Sequence, residues 1–138
     1  MQTGNLVVRP YKADLRRNLD LFSKMDPYCV VIVGGQKYKT RVHTRGGKHP
    51  MWQDQFIFRR STETEIRFEV WDFDKYSNDD LVGEGKLQLQ QVMRSRFDDW
   101  VELTYKHGKR AGKVRVSIVW RPDFTQQSGP YLVPNLSM

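Results

Sequence analysis

At 138 residues, 38% of them hydrophobic and 28% charged, with a single cysteine, the chain has the length of one globular domain that buries a core unaided, and is neither a disordered polymer nor a disulfide scaffold. Its net charge of +7 favours an anionic partner, nucleic acid or an acidic membrane surface, and composition does not choose between them. No apolar run approaches the roughly 18 residues of a membrane span, and the N-terminus shows neither a secretory pattern nor the glycine of a myristoylation signal, so the expected setting is the reducing cytoplasm.

Gly4 to Arg9 reads as a short strand with Leu6 and Val8 on one face. Pro10 is expected to end it, and Ala13, Leu15 and Leu19 punctuate a charged loop closing on Asp20, Leu21, Phe22, Ser23, Lys24, Met25, Asp26, Pro27 and Tyr28. Cys29 to Val33 is a strand apolar on both faces, and Gly34-Gly35 turns it into Lys37 to His43. There Tyr38, Thr40 and Val42 alternate with Lys37, Lys39 and Arg41. Arg45 to Pro50 is a loop, and Phe56 to Phe58 and Glu65 to Trp71 are the next strands. Glu84 to Leu89 follows, then a polar stretch, Gln90 to Asp99, with Val92, Met93 and Phe97 at helical spacing. Trp100 to Leu103 and Lys113 to Trp120 complete the set across the basic turn Lys106 to Arg110. About eight short strands with frequent turn signals predict an all-β, eight-stranded antiparallel Greek-key β-sandwich over residues 1–121. Residues 122–138, with Tyr131, Leu132 and Val133, are expected to form a tail outside the core.

Between the strands ending at Trp71 and starting at Glu84, four carboxylates, Asp72, Asp74, Asp79 and Asp80, crowd one loop. Such a loop reads either as a polar turn or as a cation site. Oxygen-only ligands in a flexible loop suit Ca²⁺ better than Zn²⁺. It is not an EF-hand: counting from Asp72, the glycine position holds Ser77 and the closing glutamate position holds Gly83. Loops of a sandwich gather at its ends, so Asp20 and Asp26 can share an end with Asp72, Asp74 and Asp80, and five carboxylates balance two or three Ca²⁺ ions.

The order of short motifs resembles the C2 domains, the lipid-binding modules of protein kinase C and the synaptotagmins. Leu15 to Tyr28 resembles the first calcium loop; Lys39-Thr40, His49-Pro50-Met51-Trp52 and Gln55-Phe56-Ile57-Phe58 match the family's Lys-Thr, Asn-Pro-x-Trp and Phe-x-Phe landmarks. Val70-Trp71-Asp72-Phe73-Asp74 followed by Asp80-Leu81-Val82-Gly83 matches the third loop, and the likeness runs from about Gly4 to Arg121. The resemblance implies that Asp20, Asp26, Asp72, Asp74 and Asp80 hold two or three Ca²⁺ ions, that Ser77 adds a hydroxyl ligand, and that Asp79 is a bystander. Ser23-Lys24-Met25 and His49 depart from the family pattern. A strand opening directly on the first calcium loop resembles the circularly permuted topology of the phospholipase C type, type II.

The function so implied is a calcium-dependent switch for an anionic phospholipid membrane, with the monomeric domain peripheral to the bilayer once calcium binds. Leu21, Phe22, Met25, Phe73 and Tyr76 are the expected apolar loop tips, with Lys24 and Lys75 meeting headgroup phosphates. Tyr28, Lys37, Lys39, Arg41 and Trp71 match the phosphoinositide-binding positions of the protein-kinase-C type, a row that also reads as a solvated strand face. The rival is a calcium-independent protein-protein adaptor presenting Val30 and Ile32, or Tyr131 to Val133. An enzyme is not expected, since His43, His49 and His107 are scattered and no nucleophile elbow or phosphate-binding loop is present. Nucleic acid is not an expected partner, because the acidic cluster opposes it.

Overall fold

The computed structural model describes residues 2–17, 19 and 24–124. There are eight strands: β1 (Gly4–Leu15), β2 (Pro27–Val33), β3 (Gln36–Lys39), β4 (Phe56–Arg60), β5 (Glu65–Asp72), β6 (Asp80–Gln88), β7 (Phe97–Tyr105) and β8 (Lys109–Pro122); β1, β5 and β8 alternate buried with more exposed residues, whereas β2 is apolar on both faces. A single helical turn, α1 (Leu89–Val92), is all the helix that the polar stretch before β7 forms. The hydrogen-bonded order is β3-β2-β5-β6-β7-β8-β1-β4, antiparallel throughout. Leu6, Val8, Phe58, Phe68, Leu103, Val116 and Ile118, from both halves of that order, pack into one core, which makes the sheet a β-sandwich.

Pro10 does not end β1. It has no N–H to give the ladder, and the register shifts between Pro10 and Lys12, a bulge that absorbs one residue. The inward positions accordingly move from Leu6, Val8 and Pro10 to Ala13 and Leu15, so residues expected in a loop are core. The strand after Gly34-Gly35 stops at Lys39 rather than His43. Thr40 is buried, donating its amide to the Cys29 carbonyl (2.9 Å) and accepting the Cys29 amide on its hydroxyl (2.9 Å). β6 starts at Asp80, inside the expected acidic loop, and β8 runs past Arg121 to pair Pro122 with Gly4.

The layers join at two seams. β6 meets β7 at one registered pair, Glu84 and Thr104, between two glycines. A Cβ on Gly83 would come within 2.6 Å of the Ala111 Cβ, and one on Gly85 would collide with the Glu102 carbonyl oxygen. The outer edges, β3 and β4, are clasped by side chains: Gln36 donates to the Arg59 carbonyl (2.6 Å) and accepts the Arg59 amide (2.8 Å). Tyr38 stacks on Phe56 with ring centroids 5.5 Å apart and meets Phe58 edge-on at 5.1 Å. Asp123 then fastens the chain's exit, accepting from Arg59 and from the Thr3 hydroxyl, while its amide donates to the Thr3 carbonyl.

Gly85→Ala should cost about 1–3 kcal/mol in urea unfolding, since the backbone must move, whereas Lys86→Ala, on the exposed side, should stay within about 0.5 kcal/mol. The Arg59 and Thr3 hydrogen bonds lower the Asp123 carboxyl from 3.8 to about 2. A depressed carboxyl stabilises the fold above its unfolded value and loses that stabilisation as pH falls through its folded value. Wild type should therefore melt above Asp123→Asn at pH higher than 3.8, and the two should converge as the pH approaches about 2.

Candidate functional site

Strand order explains why acids from distant parts of the chain meet. β2, β5 and β6 are neighbours, and their registered ends are Pro27 with Asp72 and Asp72 with Asp80. The turn before β2 and the turn between β5 and β6 therefore open at the same end of the sandwich. They are tied directly: the Asp26 amide donates to Asp72 Oδ1 (2.9 Å), and the Phe73 amide donates to the Asp26 carbonyl (3.0 Å). Asp72 is only 5% exposed, its carboxylate sitting at the rim of the core. Asp26 Oδ1 accepts the Arg45 amide (2.7 Å), which brings in the 40–50 loop.

Asp74 caps its own loop. Its Oδ1 accepts the amides of Tyr76 (2.9 Å) and Ser77 (3.2 Å), and its Oδ2 accepts the Ser77 hydroxyl (2.7 Å). Those donors, the hydroxyl foremost, hold the Asp74 carboxyl below the ordinary aspartate range. Asp79 is an organiser that the family likeness did not mark. Its Oδ1 accepts the Asp74 amide (2.9 Å) and its Oδ2 accepts the Tyr28 hydroxyl (2.5 Å). Burial, and then this bond to Asp79, pushes the Tyr28 phenol well above its usual value. Arg17 is a second organiser, donating to the carbonyls of Leu81 (3.0 Å) and Val82 (2.8 Å) with its guanidinium 3.3 Å from the Tyr105 ring centroid. It fastens the strand that carries Asp80 to the start of the first loop. Tyr28 stands in register with Trp71, eight residues before Asp79, and sequence spacing holds no signal for that pairing of phenol and acid.

Tyr76 is 89% exposed and Phe73 42%, with Lys75 beside Tyr76 and Lys24 also exposed. Met25 is corrected: it is fully buried, because it shares the inward parity of Cys29, Val31 and Val33 and continues their row into the core. Its carbonyl accepts the Gly47 amide (3.0 Å), so Met25 roots the loop and cannot meet a membrane. Asp20, Leu21, Phe22 and Tyr131 to Val133 lie outside the described residues.

The basic row is also redrawn. Tyr28, Val30, Lys37, Lys39, Trp71 and Asp79 line one open depression on the outer face of β3-β2-β5, with the Lys39 Nζ 5.6 Å from the Tyr28 ring. Arg41 does not join them; past the end of β3 it faces Asp54, whose carboxylate takes the Arg41 amide at 2.8 Å. Val30, expected on an exposed apolar face, is 4% exposed at the floor, flanked in register by Lys39 and Glu69. Glu69 accepts the Trp71 indole N–H (3.0 Å) and stands 3.8 Å from Arg67, while Asp79 is the acid that lines the depression with the two lysines. Of the histidines, His43 accepts the Met51 amide on Nδ1 (2.9 Å), His49 stands 3.6 Å from Asp14, and His107 sits in the β7–β8 turn.

The donors at this end are carboxylate, hydroxyl and carbonyl oxygens, which fit a hard cation such as Ca²⁺ in kind. Among the described residues no group of three or more His, Cys, Asp or Glu is gathered closely enough for one ion. Asp26 and Asp72 form a joined pair, Asp80 starts the neighbouring strand, and Asp74 turns both oxygens to its own loop.

Asp79→Ala should strand the buried Tyr28 hydroxyl and cost about 1–3 kcal/mol. Adding Tyr28→Phe should recover part of that loss, giving a coupling of about 0.5–3 kcal/mol in a double-mutant cycle. Amide exchange at Asp74 should speed up in Asp79→Ala and stay slow in Tyr28→Phe alone.

Known proteins of similar sequence and structure agree with this architecture. Elicitor-responsive protein 3 of Oryza sativa subsp. japonica is 28% identical over 131 residues, covering 94% of this chain and 91% of that protein. Synaptotagmin-4 of Arabidopsis thaliana is 30% identical over 125 residues, covering 86% of this chain and 21% of that protein. A C2 domain of plant Extended Synaptotagmin 1 superposes with a TM-score of 0.79 at 26% identity, over 91% of this chain and 99% of that one. The C2 domain family profile matches residues 4–103, from the first residue of β1 into β7. With that match spanning most of its length, the chain belongs to the C2 domain family.

Proposed function

We propose that the chain is a calcium-responsive module for anionic phospholipid membranes, a binding domain rather than an enzyme, acting as a monomer at the cytoplasmic surface. The observation that carries this reading is the direct bond between the two acidic turns, Asp26 amide to Asp72 carboxylate, in a chain of this family. Asp26, Asp72, Asp74 and Asp80, with Asp20 and the Ser77 hydroxyl, are the residues that would hold two or three Ca²⁺ ions. Bound calcium supplies positive charge at an end that is otherwise acidic, and open coordination positions for lipid phosphate oxygens.

The chain's own side chains do the rest. Lys24 and Lys75 are exposed beside the acids and meet headgroup phosphates as point charges. Tyr76 carries the larger buriable surface and Phe73 the smaller, and full burial of such a ring is worth about 1.5–3 kcal/mol. Leu21 and Phe22 extend the same tip in sequence. A phosphoinositide preference at Tyr28, Lys37, Lys39 and Trp71 ranks lower, because Asp79 stands among the two lysines there and Arg41 turns away to Asp54.

A second reading, a calcium-independent protein adaptor, is favoured by one observation: Asp74 closes on Ser77 and Tyr76 instead of facing Asp26 and Asp72. Liposome co-sedimentation separates the two. The calcium reading expects pelleting with phosphatidylserine vesicles in Ca²⁺ and not in chelator, and pelleting equal in both, or absent in both, refutes it. Asp74→Asn should lower calcium affinity about tenfold or more by calorimetry. Tyr76→Ala should leave calcium affinity unchanged and lower membrane partitioning about tenfold.

A further inference from the structure

The end of the sandwich away from the acidic loops holds a cleft of about 500 Å³, within the range of about 300–1,000 Å³ that takes a drug-sized ligand. It lies where β4 stops at Arg60, β6 passes into α1 at Gln88 and Leu89, and β8 nears its end at Trp120. Leu89, Met93 and Trp120 give the cleft apolar walls, while Gln2, Gln88 and Gln90 add polar atoms. None of the described residues lining it is acidic. Arg60, 4% exposed, belongs to the frame: its Nε donates to the Glu63 carbonyl (2.9 Å) and its Nη1 to the Gln2 carbonyl (2.7 Å). The Leu89 amide donates to the Thr64 carbonyl (2.8 Å), which fixes α1 against the turn before β5.

The chain leaves the fold beside this cleft. Trp120 pairs with Leu6 and Pro122 with Gly4, Asp123 ties to Thr3, and Phe124 follows, 69% exposed. Beyond it, residues 125–138 contain no Asp, Glu, Lys or Arg, in a chain whose residues are 28% charged. Their longest apolar run is Tyr131, Leu132 and Val133, preceded by Ser128, Gly129 and Pro130. An uncharged stretch with an aromatic and branched residues lacks the composition of a solvated spacer, and Ser-Gly-Pro is a signal for chain reversal. The reach suffices. From Phe124 to Tyr131 an extended chain spans up to roughly 23 Å, whereas the way back along β8 from Phe124 to Trp120 is roughly 13 Å.

We propose that the cleft is the docking site of the chain's own tail, with Tyr131, Leu132 and Val133 folded back against Leu89, Met93 and Trp120. A peptide that enters such a cleft needs partners for its N–H and C=O groups. Glutamine amides both donate and accept, so Gln2, Gln88 and Gln90 suit a neutral peptide better than an ion. The tether decides for the chain's own tail over that of a second copy, because a short flexible linker supplies an effective concentration on the order of millimolar. The cleft shares no residue with the acidic loops, so a docked tail leaves that end of the sandwich open. Tyr131 to Val133 are then taken up by the domain itself and are not offered to a partner.

The test records nuclear Overhauser contacts and amide exchange in the full chain. The proposal expects contacts from the Leu132 and Val133 methyls to the Trp120 indole and the Met93 methyl, unchanged on dilution. The Met93 amide, which donates to the Leu89 carbonyl (3.0 Å), reports on the cleft. In Tyr131→Ser/Leu132→Ser/Val133→Ser its exchange should speed up about tenfold or more, while that of Val116 in the core stays as in wild type. Met93→Gln, on the cleft side, should weaken the same tail contacts. The proposal is overturned if no contact joins the tail to the cleft, or if the triple variant exchanges at Met93 like wild type. It is overturned equally if, in a mixture of differently labelled chains, the contacts run between copies, which assigns the cleft to a second copy's tail.

Discussion

One hydrogen bond, from the Asp26 amide to the carboxylate of Asp72, joins parts of the chain that lie 46 residues apart and makes a single acidic end out of two turns. It is available because β2 and β5 are neighbours whose last registered residues are Pro27 and Asp72. Asp72 is also where the inward row Ile66, Phe68, Val70 runs out of core. A buried carboxylate needs donors, and the Asp26 amide is one of them. The carboxylate proposed as a ligand is thus also the group that ties the turn before β2 to the turn after β5.

The scaffold under that end is stiff for identifiable reasons. The β6–β7 junction rests on close backbone approach at Gly83 and Gly85, and the opposite seam on the Gln36 clasp and the Tyr38 aromatic contacts. Asp79 and Arg17 carry the order outward, one tying the third loop to Tyr28, the other tying the first loop to β6. The exposed tip residues Tyr76, Lys75 and Phe73 therefore project from a loop whose base is held on both sides.

The net charge of +7 is distributed unevenly in its effect. On the β3-β2-β5 face Lys37 and Lys39 share their depression with Asp79, and on the β7-β8-β1 face Lys113 stands in register with Glu102 and Asp14 while Arg115 pairs with Asp98. Counting cations along a strand misses the acids that stand among them on both faces.

Alternation along the strands and the turn pairs were enough to derive an antiparallel sandwich, and the spacing of the aspartates to nominate Asp20, Asp26, Asp72, Asp74 and Asp80 as candidate ligands, since these signals are local. Parity, equally local, places Met25 in the Cys29 row and Glu69 on the Trp71 face, and applying it through the loop boundary settles both. Other features arise only across the ladder: the bulge after Pro10 that turns Ala13 and Leu15 inward, the departure of Arg41 toward Asp54, the burial of Val30, and the Tyr28–Asp79 bond. Each depends on which strand is neighbour to which and in what register, and register is set by the collective burial of both layers rather than by any short stretch of sequence.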